Sequence, residues 1–323
     1  MHDLIVYITS CGPNVKNPAY WNNLFETIAS LSQTIGDIDY KFYIVVDYEP
    51  LKSAVEGIFS HPRFEKIIKQ DALLDVKLST DSWASCYNSF FEEYKDSTQY
   101  ILISHDDIIV QTPNFITHTL DLLKDKTDPI GWVSFTNNKY QQVNRMPIAN
   151  SFKDPFALDR DMHPRLFECH RYPKDSTISN ENESMLDYPS GPVKTYGPYT
   201  HLVLVSTESM EKIGPCADWT DYTIFIDDDW NMAALEAKLW NVWVPDVFYA
   251  HPNPKYNYLR QPGTDLRFVK EASEEFFRKW GWKYSDDGSE LSDEAIESIR
   301  QRYKDTFIPA SSYKNTYDWE YLK

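Results

Sequence analysis

The sequence predicts an α/β fold, a mostly parallel central sheet flanked by helices, with a helical extension at the carboxyl end. Strand-like and helix-like patterns alternate through the first 110 residues, which is how a parallel sheet is built when each strand returns to the same edge through a helix. The apolar run Tyr100-Ile101-Leu102-Ile103 leads straight into Ser104-His105-Asp106-Asp107. This places oxygen ligands at the carboxyl end of a buried strand, where open α/β sheets bind ligands. After about Arg260 the composition turns charged and helical.

The elements follow in order. Leu4 to Ile8 reads as a buried strand, followed by the turn Ser10-Cys11-Gly12-Pro13-Asn14. Trp21, Leu24, Ile28, Leu31 and Ile35 recur at spacings of three and four, the period of a helix with one apolar face. Lys41 to Val46 is a second strand ending at Asp47. A helix from about Pro50 to Phe59, a short strand near Lys66 to Ile68 and a helix from Ser82 to Tyr94 precede the strand that ends at His105. Between Asn137 and Tyr199 the periodicity vanishes into Pro, Asn, Tyr and charged residues. Structureless stretches of that length in compact domains are usually functional or mobile, and the aromatic residues here suit an insertion or lid over a ligand. His163, Cys169 and His170 lie within it, but a fourth ligand at zinc-finger spacing is missing. Regular patterns resume with the strand His201 to Val205, a short helix Ser206 to Ile213, the acidic cluster Asp227-Asp228-Asp229, a helix Asn231 to Leu239 and the strand Val242 to Val244. Two surface helices, Glu271 to Trp280 and Ser292 to Tyr303, come before a Tyr-rich tail.

Composition narrows the function classes. With 323 residues, 42% hydrophobic and 15% aromatic, the chain can bury a large core in one or two domains. A net charge of -17 disfavours a nucleic-acid partner held on a broad basic surface. No run approaches the about 18 apolar residues of a transmembrane segment, and the amino terminus enters a strand without a signal-peptide pattern. Cys11, Cys86, Cys169 and Cys216 form no C-x-x-C pair, which suits reduced thiols in a cytoplasm. The sequon Asn182-Glu183-Ser184 carries no weight without a secretion signal.

Six segments, in order and spacing, resemble the GT-A nucleotide-sugar glycosyltransferases, in particular family 2 like enzymes, over roughly residues 3 to 281. They are Ile44-Val45-Val46-Asp47, Trp83-Ala84-Ser85-Cys86-Tyr87-Asn88, Ser104-His105-Asp106-Asp107, the run from Leu202 through Met210-Glu211-Lys212-Ile213-Gly214 to Asp227-Asp228-Asp229, Val244-Pro245-Asp246-Val247-Phe248-Tyr249-Ala250-His251, and Phe276-Phe277-Arg278-Lys279-Trp280-Gly281.

The resemblance implies a Rossmann-like GT-A catalytic domain over 1–260, with 137–199 as the insertion, and a helical extension over 261–323. It implies donor contacts from Thr9, Ser10, Asp47, Trp83, Asn88 and Asp106, and a Mn2+ or Mg2+ ion held by Asp107 and His251. It also implies a general base at Asp227 or Asp228. The reaction would move a hexosyl or pentosyl group from a nucleotide-diphosphate sugar to the hydroxyl of a glycan or other acceptor, with inversion. His105 stands where the family's metal motif has its first Asp, so it is read as holding the loop. The residue types suit this chemistry. A divalent cation bridging diphosphate oxygens wants hard carboxylate ligands, and a carboxylate can take the acceptor's proton.

Each residue also has a plainer role. Asp47 can be a turn residue, Trp83 core, Asn88 a packed polar group, His251 a strand-end histidine, and the Asp triplet a helix cap drawn by the dipole. Two other classes stay open: a binding module of the same fold without catalysis, and a nucleotidyltransferase. The second is weakened by the lack of a glycine-rich phosphate loop after the first strand.

Overall fold

The computed structural model describes residues 1–60, 71–137, 191–195, 201–219, 226–250, 267–283, 293–303 and 321–323. The first strand, β1 (His2–Ser10), is followed by a 3-10 turn (Pro13–Lys16) and helix α1 (Pro18–Thr34). Asn17 starts α1: its side chain accepts the Ala19 N–H at 3.1 Å, and Pro18 takes a position where no backbone donor is needed. Then come β2 (Tyr40–Val46), α2 (Glu49–Ser60), β3 (Leu73–Leu78), α3 (Trp83–Tyr94), β4 (Thr98–His105), β5 (Ile109–Val110), α4 (Phe115–Leu123), β6 (Ile130–Asn137) and β7 (Val193–Thr195). The remainder is β8 (Leu202–Ser206), α5 (Thr207–Ile213), α6 (Ile226–Glu236), β9 (Trp240–Ala250), α7 (Arg267–Trp280) and α8 (Asp293–Tyr303).

The sheet runs β3-β2-β1-β4-β8-β6-β9-β5, with β7 also on β9. Strands β3, β2, β1 and β4 are mutually parallel, β8 is inserted antiparallel, and β6 and β9 return to the first direction. The alternation of side chains along β1 sorts the core into two layers. Leu4, Val6 and Ile8 pack with Leu24, Ile28, Val55 and Phe115 of α1, α2 and α4. Ile5 and Tyr7 pack with Tyr87, Met210 and Trp230 of α3, α5 and α6. The sheet is therefore covered on both faces, and what is left to bind a ligand is its edge at the strand ends. No helix among the described residues is long and apolar enough to cross a membrane.

Several boundaries differ from the sequence reading. The strand expected near Lys66 to Ile68 lies outside the described residues, as does nearly all of the 137–199 segment. Among the described residues the third strand is Leu73–Leu78, an edge strand with only Val76 fully buried, so its apolar signal is weak. Val193–Thr195, inside the segment read as structureless, is a buried strand. The strand read as Val242 to Val244 continues to Ala250 through Pro245. A register shift there against β6, with Thr136 Oγ1 donating to Pro245 O at 2.8 Å, accommodates a residue that cannot donate to the ladder. Helix α6 begins at Ile226, so the acidic triplet forms its first turn and does not precede it.

Candidate functional site

Register brings the chemistry together. Ser10 pairs with Val46, and Thr9 with both Val45 and His105, so the ends of β1, β2 and β4 lie side by side. His201, entering antiparallel β8, accepts the His105 N–H at 2.9 Å through its carbonyl, and the two imidazoles meet edge to face with centroids 4.8 Å apart. His105 is thus built into the junction of two strands.

Beyond it, Asp106 and Asp107 are both buried, at 8% exposure. Ser10 donates to Asp106 Oδ2 at 2.5 Å, and the Tyr20 hydroxyl of α1 donates to Oδ1 at 3.2 Å. Burial, with the charge of Asp107 adding to it, pushes the Asp106 carboxyl up to about 7 against those two hydrogen bonds. Two crowded carboxylates at a strand end make a donor set that a hard divalent cation satisfies. Asp107, with Asp106 beside it, would hold such an ion, which would supply positive charge to an anionic ligand there. Among the described residues no group of three or more His, Cys, Asp or Glu forms a metal site. His251, the other expected ligand, follows the end of β9 and lies outside the described residues.

Asp47, just past β2, accepts the Gly12 N–H at 2.7 Å on Oδ2. This fixes the turn after β1, where Gly12 has φ +104°. Its Oδ1 is buried with no hydrogen-bond partner among the described residues. Thr9 Oγ1, one strand over, is buried beside the Tyr7 hydroxyl, which it hydrogen-bonds. Buried acceptors and hydroxyls at a ligand edge are places where a ligand's donors can pair.

On the opposite layer, Ser82 caps α3 and Trp83 opens it. The Trp83 ring stacks on Tyr87 (5.5 Å, 4°) and meets Trp230 of α6 edge-on at 5.4 Å, which ties the start of α3 to the helix that carries the acidic triplet. Asn88 is turned towards the 214–219 segment, where its amide donates to Cys216 O at 2.9 Å and accepts from Cys216 N at 2.8 Å. Ser82 and Ser85 donate to Asp218 at 2.6 and 2.9 Å, so α3 pins that segment at two points.

The acidic turn is graded in exposure. Asp228 is 0% exposed and Asp229 1%, whereas Asp227 is only partly buried. Asp229 Oδ1 receives both the Lys279 ammonium at 2.6 Å and the Trp280 indole N–H at 2.8 Å, from the end of α7. Burial nonetheless holds the Asp229 carboxyl above the usual range, opposed by Lys279, Trp280 and a backbone hydrogen bond from Ala217. Sequence reasoning missed three contributors here: Tyr20, the Ser82–Ser85–Asp218 clasp, and the Lys279–Trp280 grip. The first two leave no sequence signal. The third was quoted as a motif without a role, and its cation at a helix end was the available sign.

No protein-family model matches the sequence, and no curated protein matches it. Solved structures do. The chain is similar to GalNAc-T7 crystallised with UDP, GalNAc and Mn2+, at 11% identity and a TM-score of 0.51, covering 95% of this chain and 56% of that one. It is also similar to the mannosyltransferase PcManGT from Pyrobaculum calidifontis in complex with GDP-Man and Mn2+, at 13% identity and a TM-score of 0.49, covering 94% and 71%. S. aureus TarS follows at 11% identity and a TM-score of 0.44, covering 86% and 43%. The chain spans only about half the length of GalNAc-T7 and less than half that of TarS. The likeness to GalNAc-T7 shows the GT-A type of α/β fold, with a mostly parallel sheet between helices.

Proposed function

We propose that this protein is a metal-dependent glycosyltransferase that moves a sugar from a nucleotide diphosphate to an acceptor hydroxyl, with inversion. The observation that carries the reading is the pair of buried, crowded carboxylates at the end of a central strand, on the sheet edge that Ser10, Asp47 and Thr9 also line. GalNAc-T7, of the same fold, was crystallised with a nucleotide, a sugar and Mn2+, and the donor set here suits the same kind of ion. When bound, a divalent cation neutralises the diphosphate and stabilises it as a leaving group.

The chain's own residues do the rest. Asp107 holds the ion, and Asp106, kept in place by Ser10 and Tyr20, lies beside it. Asp47 offers Oδ1 to a nucleoside donor while Oδ2 keeps the turn, and Thr9, Ser10, Trp83 and Asn88 shape the donor side. Asp227, the most open of the triplet, takes the acceptor proton, with Asp228 as the second choice. His251 joins the metal shell. Residues 1–260 form the catalytic domain and 261–323 the extension, and the acceptor-side lid comes from 137–199 outside the buried strand β7.

The experiment is a thermal-shift screen of nucleotide sugars with and without manganese, followed by product analysis. Ligands that bind the folded state raise its melting temperature. Manganese-dependent stabilisation together with sugar transfer is the expected result, and the anomeric configuration of the product reads the stereochemistry. Binding without turnover would instead indicate a nucleotide-sugar binding module, and release of pyrophosphate from a nucleoside triphosphate would indicate a nucleotidyltransferase.

A further inference from the structure

The helical extension grips the acidic turn. In a helix, successive side chains are about 100° apart, so Asp227 and Asp229 project from nearly opposite sides of α6. Asp229 faces α7, where Lys279 and Trp280 both hold its Oδ1 at 2.6 and 2.8 Å. The Lys279 ammonium also lies 5.1 Å from the Trp280 ring and 5.9 Å from that of Trp219, and Trp219 meets Phe276 of α7 edge-on at 5.7 Å. Trp219 directly follows Asp218, which α3 pins together with Cys216. At the other end of α6, Glu236 accepts the Tyr303 hydroxyl at 2.6 Å and pairs with Arg302, both from α8. The extension therefore holds α6 at both ends.

We propose that Lys279 and Trp280 are positioning residues that fix the rotation of the acidic turn, so that Asp227 is aimed at the acceptor while Asp229 serves as the handle. This rests on the glycosyltransferase reading above and deepens it. An ion pair whose acid is buried is weak evidence of net stability, and setting geometry is the role assigned to this one. Small misplacements of a reacting group cost about 10²-fold in rate. Asp229 is then unavailable as the base, because it is 1% exposed and its Oδ1 is occupied from α7.

The test uses the full chain with Lys279→Met, Lys279→Arg, Trp280→Phe, Asp229→Asn and the double variant Lys279→Met/Asp229→Asn, measured for melting temperature and for kinetics on the nucleotide sugar found in the screen. Non-additive melting shifts, with the double variant no worse than the worse single one, are expected of a direct pair. Lys279→Met should lower kcat by about 10²-fold with the donor KM unchanged, and Lys279→Arg should recover most of it. Trp280→Phe, which keeps the ring and loses the donor, should show a smaller fall of the same kind. Additive melting shifts would overturn the grip. Coupled melting with unchanged kcat would leave it purely structural and overturn the positioning role. A parent chain that turns over no nucleotide sugar removes the transfer reading and this role together, and the melting cycle tells that failure from a missing grip.

Discussion

Two acidic clusters sit on this sheet, and they are held in opposite ways. Asp106 is a buried carboxylate beside a second one, steadied by the neutral hydroxyls of Ser10 and Tyr20. Asp229 is a buried carboxylate steadied by an ammonium from another helix. Hydroxyls orient a carboxylate without cancelling its charge, and an ammonium does both. Among the described contacts the partners of Asp106 are neutral, whereas Asp229 has a counter-charge built in. On this view the first is where a metal and a diphosphate meet, and the second is scaffolding around one reactive neighbour, Asp227.

The largest expected effect separates the members of the second cluster. Asp227→Asn should lower turnover by a factor on the order of 10² to 10⁴ while donor affinity stays near that of the parent, because a general base acts on the proton in flight. If Asp227 is only part of a helix start, the cost is about 1 kcal/mol of stability with turnover per folded molecule intact. Steady-state kinetics beside a melting curve distinguishes the two.

Next comes the metal position of the first cluster. Outer-shell partners of a metal already contribute about 10- to 100-fold to affinity, so Asp107→Asn should weaken manganese-dependent nucleotide binding by about 10²-fold or more. Calorimetric titration with manganese and again with excess chelator checks this. Equal affinity in both for the parent chain would remove the ion from the site altogether.

A third comparison exchanges one acid in each cluster. Asp106→Asn removes like-charge crowding in a buried pair and keeps a group that both hydroxyls can bond, so the metal-free protein should melt at or above the parent temperature at neutral pH. Asp229→Asn leaves Lys279 without its counter-charge and weakens two charge-assisted hydrogen bonds, so it should lose about 1–3 kcal/mol. The contrast in sign matters more than either magnitude, and chemical denaturation of the two variants reads it.

The same contrast explains what the sequence could disclose. In the parallel half β1, β2 and β4 were legible because they are apolar runs with helices between them in chain order, and Asp47 and the Asp106–Asp107 pair mark the strand ends, whereas the half-exposed edge strand β3 was not. The other half was harder because spatial order departs from chain order. There β8 inserts antiparallel between β4 and β6, β7 is only Val193–Thr195, and β9 crosses Pro245 through a bulge. Asp227 to Asp229 stood out as a cluster, but periodicity could not say which of the three would be open, since that depends on α7 docking from some fifty residues later. Trp83 and Asn88 were read either as donor contacts or as packed residues of α3. Their observed contacts, with Trp230 and Cys216, are set by long-range packing that leaves no local pattern.

The smallest effect concerns Asp47, which belongs to neither cluster and tests whether the edge between them binds a nucleoside. Its Oδ2 holds the Gly12 N–H, and its Oδ1 is buried without a partner among the described residues. An asparagine there keeps an oxygen for Gly12, so the turn after β1 should survive and the melting temperature should barely change. What it presents on the other side is an NH2 donor in place of an acceptor, which opposes a ribose hydroxyl or base N–H. One hydrogen bond to a charged acceptor is worth about 1.5–3 kcal/mol, and partial rescue by water reduces the net loss. Nucleotide affinity should therefore fall by roughly tenfold, the equivalent of about 1.4 kcal/mol. Because the contact is to the nucleoside and not the diphosphate, the fall should be the same with manganese and with chelator, whereas the Asp107→Asn loss should appear with manganese alone. A manganese-dependent loss in Asp47→Asn would move Asp47 into the metal site, and an unchanged affinity would reduce it to the turn it holds.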